Sequence, residues 1–339
     1  MDIVKKILFI SVFIFTITSL NARELTKVKK ETYLFAVKGA DSLYLDRYYN
    51  EDALNANSLD DSPVFVFAFG GGFFTGNRNA KTYINFYNYL VNKGYNVIAI
   101  DYRKGLEKMY KQSKNLAASG KKVKFKPIQF AKLLSNSIDI AVEDLYSATN
   151  FILSKSKQWN IDTSKIIISG SSAGAITVLQ AEYYRSNNYF SNNLNISTKL
   201  PDNFSYAAVI AFAGAISPTS KHITWGSRTA PILLFHGDAD SNVPYAKINA
   251  FIFRLYGSKT IAESLHKYSS PYYFYTQDNA DHIVAVSPMN NNRATIDYFL
   301  NTYVKHGAKL QETLVVTTIG ETLKNKKFSL KDYIISNLK

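Results

Sequence analysis

Six short runs of almost unbroken apolar residues limit what this chain can fold into: PVFVFAF (63–69), YNVIAIDY (95–102), KIIISG (165–170), AAVIAFAG (207–214), PILLFHG (231–237) and PYYFYTQ (271–277). A strand with one wet face alternates polar and apolar residues, whereas one covered on both faces has no need to, so runs of this kind predict a parallel sheet sandwiched by helices. The intervals supply the helices. AKTYINFYNYLVNKG (80–94) carries apolar residues at helical spacing and stops at Gly94, and residues 135–156 put Ile138, Val142, Leu145, Ala148 and Ile152 on one stripe. AGAITVLQAEYYR (173–185) and ATIDYFLNTYVKHG (294–307) complete the alternation. Ahead of it, ETYLFAVKGADSLYLDRYY (31–49) alternates around Lys38-Gly39 as an antiparallel hairpin would. The expected architecture is therefore one α/β domain with a mostly parallel, doubly wound sheet opened by an N-terminal antiparallel hairpin.

The ends of the chain fall outside this rhythm. Lys5 and Lys6 precede the apolar run ILFISVFIFTIT, which ends in SLNA at Ala22. That order of charge, short apolar core and small residue is a signal-peptide pattern, so residues 1–22 are expected to be a leader and the mature protein to be exported. A retained anchor is the alternative; the run is short for spanning a bilayer. Residues 23–308 then form the domain, and 309–339 an extension with no role beyond packing or a partner contact.

With no cysteine in 339 residues, thiol nucleophiles and thiolate metal sites are excluded, leaving oxygen or nitrogen as the nucleophile. The formal charge is +14, but much of it is local: residues 104–127 hold eight lysines against one glutamate. No zinc-finger spacing or arginine-rich stripe accompanies them, so nucleic acid is not expected as a partner.

The chemistry concentrates where the third run meets a helix. Gly170, Ser171, Ser172, Ala173 and Gly174 fit G-x-S-x-G, in which a strand turns sharply into a helix and holds the central side chain up in a strained conformation. Ser172 alone is centred between both glycines. Ser169 ends the strand pointing elsewhere, and Ser171 sits beside the nucleophile in support. A serine hydroxyl needs a base, and imidazole is the usual one. Of five histidines, His282 in QDNADHIVAV follows the last core strand and comes after every candidate acid. His236 ends a strand and reads as structural, His222 and His266 lie in polar surroundings, and His306 closes a helix. HGDADSNVPY offers Asp238 and Asp240; Asp240, leading into Val243-Pro244, is the preferred acid, Asp238 a brace for the loop, and Asp278 and Asp281 lesser options. Gly70, Gly71 and Gly72 directly follow the first core strand, where bare N–H groups can face a developing oxyanion, and the Ala173 amide at the helix start can add another.

Taken in order, FGGGF, DYR, GSSAG, HGDADSNVPY and DH resemble the α/β-hydrolase superfamily, and within it the carboxylesterases related to hormone-sensitive lipase, over roughly residues 33–306. The resemblance implies an α/β-hydrolase fold, Ser172 as nucleophile, Asp240 as acid, His282 as base, and Gly71, Gly72 and Ala173 as oxyanion donors. It implies no metal and no cofactor. Phe69 stands where that family usually has histidine, and the large N-terminal helical cap is missing, which suggests a more open site. Asp101, Tyr102 and Arg103 look like the family's structural motif, a buried ion pair rather than a catalytic group.

The expected activity is hydrolysis of short-chain or acetyl carboxylic esters through an acyl-enzyme, on a small-molecule or carbohydrate substrate. Export and charge bring acetylated or feruloylated polysaccharide into range, with Phe73 and Phe74 lining the acyl side, and membrane contact is expected only through the leader. Two rivals remain. A prolyl-oligopeptidase-type peptidase could use the same triad, but no segment supplies its gating domain; a non-catalytic binding protein could keep the scaffold, since fold does not fix function.

Overall fold

The computed structural model describes residues 27–51, 62–120, 127–189, 196–250 and 253–317, together with 324, 326, 329, 332 and 336. The leader expected at 1–22 lies outside the described residues.

The hairpin forms as expected from β1 (Val28–Lys38) and β2 (Asp41–Asn50), turning at Gly39. The six apolar runs become β3 (Ser62–Ala68), β4 (Asn96–Ile100), β5 (Ile161–Ser171), β6 (Ala208–Phe212), β8 (Ile232–Gly237) and β11 (Tyr272–Gln277). With β12 (Gln311–Val316) they make a nine-stranded sheet ordered β1-β2-β4-β3-β5-β6-β8-β11-β12. The β1–β2 and β2–β4 pairs are antiparallel and every other pair is parallel. Burial on both faces explains the unbroken apolar character: Val64 through Ala68, Asn96 through Ile100 and Ala208 through Phe212 are all buried.

Helices α1 (Lys81–Asn92), α2 (Glu107–Ala118), α3 (Pro127–Trp159), α4 (Ala173–Ser186) and α5 (Ser258–Lys267) cover the sheet. The 135–156 stripe is the buried face of the longer α3, which starts at Pro127, where a missing N–H costs nothing. Part of the lysine-rich segment is the amphipathic α2, and α5 had no strong apolar run to announce it. A second, three-stranded antiparallel sheet joins β7 (Ala215–Ile216), β10 (Phe253–Gly257) and β9 (Lys247–Ala250). Among the described residues no helix is long and apolar enough to cross a membrane.

The main sheet takes in a strand beyond residue 308, from the segment that the sequence pattern marks as an extension. β12 lies parallel to β11 from Tyr272↔Gln311 to Gln277↔Val316. As an edge strand it leaves Leu314 and Val315 exposed, so it lacks the doubly buried signature of its neighbours.

The DYR motif braces the fold. Arg103 donates to Asp144 at 3.0 Å and to Glu143 at 2.6 Å, and Asp101 pairs with Arg78 at 2.5 Å. Burial would raise the Glu143 carboxyl, but hydrogen bonds from Ser197 and Arg103 and the Lys38 charge outweigh it and hold the group at about 2. The Tyr102 ring stacks on Phe69 with centroids 4.4 Å apart, and its hydroxyl donates to the Phe69 carbonyl at 2.7 Å. The aromatic residue at position 69 thus fixes the base of the glycine loop by stacking.

Candidate active site

Ligands of parallel α/β sheets bind beyond the carboxyl ends of the strands. Here the loops leaving β3, β5, β8 and β11 carry the glycine run, Ser172, Asp240 and His282 respectively. Adjacent strands set the order: Ala68 of β3 faces Gly170 of β5, and Gly237 of β8 faces Gln277 of β11.

Ser172 sits between β5 and α4 with φ 52° and ψ −115°, a conformation that costs a non-glycine residue of order 1–3 kcal/mol and is held by its surroundings. Its N–H donates to the Phe212 carbonyl at 2.8 Å, and its carbonyl accepts from Ile176 at 2.9 Å. The flanking glycines let the backbone close up: a Cβ at Gly170 would lie 2.3 Å from Gly174 backbone atoms, and one at Gly174 only 2.1 Å from the Ala68 carbonyl oxygen. The three neighbouring serines occupy different surroundings. Ser171 is buried and donates to the Ala285 carbonyl at 2.8 Å, bracing the short helical turn that begins at His282. Ser169 is buried in β5, away from the cleft.

The structure brings Ser172, His282 and Asp240 into one relay. His282 Nε2 lies 2.9 Å from Ser172 Oγ, and Nδ1 lies 2.7 Å from Asp240 Oδ2. The other oxygen of Asp240 accepts from the Asn242 and Val243 amides at 2.7 and 2.9 Å. Burial alone would raise the Asp240 carboxyl, but the His282 charge and hydrogen bonds from His236 and His282 outweigh it and hold it well below the ordinary carboxylate range. Asp240 is therefore an ionised acceptor that keeps the His282 proton on Nδ1 and leaves Nε2 free to face the serine.

The remaining acids are committed elsewhere. Asp238 accepts from the Asn279 amide at 2.6 Å, and Asp281 caps the turn of His282 by accepting from Ile283 at 3.1 Å. Asp278 pairs with Lys326 at 2.5 Å. Among the described residues no cluster of histidine and carboxylate groups could hold a metal ion.

Gly70, Gly71 and Gly72 form one wall of an open cleft of about 660 Å³ that also contains Ser172 and His282. A Cβ on Gly70 would lie 3.3 Å from Ser172 Cβ, so the loop is in contact with the elbow. Gly70 donates its N–H to the Tyr83 hydroxyl at 3.0 Å, and the Gly71 carbonyl accepts from Thr75 at 2.9 Å, which bends the loop through Gly71 at φ 137°. No hydrogen bond among the described residues uses the Gly71 or Gly72 amide. The Ala173 amide opens α4, where the first N–H groups of a helix have no partner within it.

Phe73 is corrected. It is fully buried at φ 65° and packs edge-on to Tyr102 rather than lining the cleft, because the tight turn after Gly72 sends its ring inward. Phe74 does line it, stacked at 4.5 Å on Tyr110 of α2. Three contributions had no local signal: Tyr83, Tyr110, and His236. Buried His236 receives Ser258 at Nδ1 (2.8 Å) and turns Nε2 toward two acceptors, the Val243 carbonyl at 3.3 Å and Asp240 Oδ2 at 3.4 Å. Two acceptors facing one nitrogen place a proton on it.

This sheet order, with a strained serine elbow after β5 and loops converging from β8 and β11, is the α/β-hydrolase fold. Known proteins agree. Residues 128–222 match the family model BD-FAE. A thermophilic esterase from the Planctomycetes species Thermogutta terrifontis, with propionate bound, aligns at TM-score 0.53 and 18% identity over 84% of this chain and 96% of that one. Thermogutta terrifontis esterase 2 phosphonylated by cyclosarin aligns at 0.52 and 20%, over 82% and 94%. Esterase B from Lactobacillus rhamnosis (HN001) aligns at 0.51 and 15%, over 81% and 85%. No curated protein matches the chain.

Proposed function

We propose that the chain is a serine carboxylic ester hydrolase that works through an acyl-enzyme intermediate. The observation that carries this reading is the relay from Ser172 Oγ through His282 to Asp240, opening on a cleft walled by glycine amides. In this mechanism His282 Nε2 takes the hydroxyl proton as Ser172 Oγ attacks the ester carbonyl carbon. The carbonyl oxygen gains negative charge facing the N–H groups of Gly71, Gly72 and Ala173, each worth ~2.7–4 kcal/mol of transition-state stabilisation. Asp240 holds the imidazolium that forms. His282 then protonates the departing alcohol, and a water molecule repeats the sequence on the acyl-serine to release the acid.

The substrate is proposed to be a short-chain or acetyl ester of a small molecule or a carbohydrate, met outside the cytoplasm after removal of residues 1–22. The propionate and butyrate held by the Thermogutta terrifontis esterase support a short acyl group. The open cleft beside Ser172 and His282 supports a bulky alcohol group on the substrate. Purified protein is expected to cleave p-nitrophenyl acetate and butyrate, and a Ser172→Ala variant that kept full activity would overturn the assignment. Release of acetate from acetylated xylan, set against release from simple esters, separates a polysaccharide substrate from a small one.

A further inference from the structure

Lys324, Lys326 and Ser336, described residues beyond β12, meet the two loops that carry the proposed acid and base. Those loops run side by side: Asp238 donates its N–H to the Gln277 carbonyl at 3.1 Å, Ala239 donates to Ala280 at 3.0 Å, and the Asn279 amide donates to Asp238 Oδ1 at 2.6 Å. This pairing has an electrostatic cost. It brings the carboxylates of Asp238 and Asp278 to one spot, with Asp281 three residues further on, all within a few residues of Asp240 and His282. Lys326 meets the charge: its Nζ lies 2.5 Å from Asp238 Oδ2 on the acid loop and 2.5 Å from Asp278 Oδ1 on the base loop. Lys324 adds a second hold on the base loop, its N–H donating to Asn279 Oδ1 at 2.6 Å and its Nζ lying 3.1 Å from Asp281 Oδ2. Ser336 donates to the Ser241 carbonyl, one residue past Asp240, and borders the cleft.

We propose that Lys326, with Lys324, is a positioning residue that clamps the Asp240 loop to the His282 loop by neutralising the carboxylates which that pairing brings together. The inference rests on the esterase reading for its catalytic consequence, though not for its structural one. Half-exposed ion pairs contribute little to global stability, so the clamp acts on geometry. A carboxylate pair left without its cation pushes the loops apart, and the Asp240–His282 hydrogen bond spans that seam. The hydrogen bond from Lys326 also holds the Asp278 carboxyl below the ordinary carboxylate range.

The test compares the full chain with Lys326→Met and with Lys326→Met/Asp278→Asn. In Lys326→Met, kcat for p-nitrophenyl acetate is expected to fall about tenfold with KM nearly unchanged, because small misplacements of reacting groups cost rate. Amide hydrogen exchange in residues 237–245 and 277–286 is expected to speed up. Removing the second negative charge in the double variant is expected to restore both readouts, which simple loss of a tether would not do. Unchanged exchange in both loops of Lys326→Met overturns the clamp whether or not the protein cleaves esters, and so does a double variant as impaired as the single one. Absence of turnover in the unmodified chain would instead remove the esterase reading, with exchange still deciding the clamp.

Discussion

Replacing Asp240 by Asn changes one oxygen to an NH2 group, and the structure determines which. Oδ1 faces two backbone N–H donors, those of Asn242 and Val243 at 2.7 and 2.9 Å, so the amide oxygen must stay there. The NH2 group then takes the place of Oδ2, 2.7 Å from His282 Nδ1 and 3.4 Å from His236 Nε2. A donor in that position makes His282 Nδ1 the acceptor and moves the ring proton to Nε2, where it points at Ser172 Oγ and blocks the base. It also sets donor against donor at His236. The variant has the wrong tautomer in an almost unchanged fold, and the charge that stabilised the imidazolium is gone. The expected loss in kcat is about 10⁴-fold, or ~5.5 kcal/mol of transition-state stabilisation. Steady-state hydrolysis of p-nitrophenyl acetate measures it, with circular dichroism and thermal melting to show that the fold survives. A loss below about tenfold in a folded variant would refute the tautomer argument and redirect the search for the acid to Asp278 and Asp281.

Two further predictions concern the frame of the site. Gly174→Ala places a Cβ 2.1 Å from the Ala68 carbonyl oxygen, a backbone atom that cannot swing away, so the variant should lose ~3 kcal/mol or more by chemical denaturation. A melting midpoint equal to the parent's would contradict that packing. Partly buried Asp139 on α3, which accepts from Tyr184 at 2.9 Å, has its carboxyl pushed up by burial from 3.8 to about 6. The unfolded chain then ionises first, so this group's contribution makes stability fall as pH rises from about 4 to 6 and level off above. Asp139→Asn keeps an acceptor for Tyr184 and should stabilise by up to ~3 kcal/mol at pH 8 and by almost nothing at pH 3, as read from urea unfolding at both values. Equal effects at both pH values would assign the difference to packing rather than to charge.

The parts legible in the sequence are those written by local rules. Runs such as KIIISG and PILLFHG are unbroken because both faces of β5 and β8 are buried, and GSSAG announces a turn whose sterics admit only glycine at its ends. The glycine spacing singled out Ser172, the place before Val243-Pro244 favoured Asp240 over its neighbours and chain order favoured His282, and the structure places these three within hydrogen-bonding distance. What escaped depends on contacts between segments far apart. β12 is an edge strand and shows neither clean alternation nor full burial, so its pairing with β11 is visible only in three dimensions. Phe73 and Phe74 are chemically the same residue in sequence, and the turn after Gly72 alone sends one into the core and the other into the cleft. His236 read as structural from its place at a strand end; its approach to Asp240 depends on the loop folding back through Val243.

The most direct test of the central claim is covalent. Incubation with a serine-directed fluorophosphonate, followed by proteolysis and peptide mass spectrometry, should give one adduct per chain on Ser172, and the adduct should be almost lost in His282→Ala because the base that activates the hydroxyl is gone. An adduct on Ser169 or Ser171, or no adduct on a folded chain, would contradict the account.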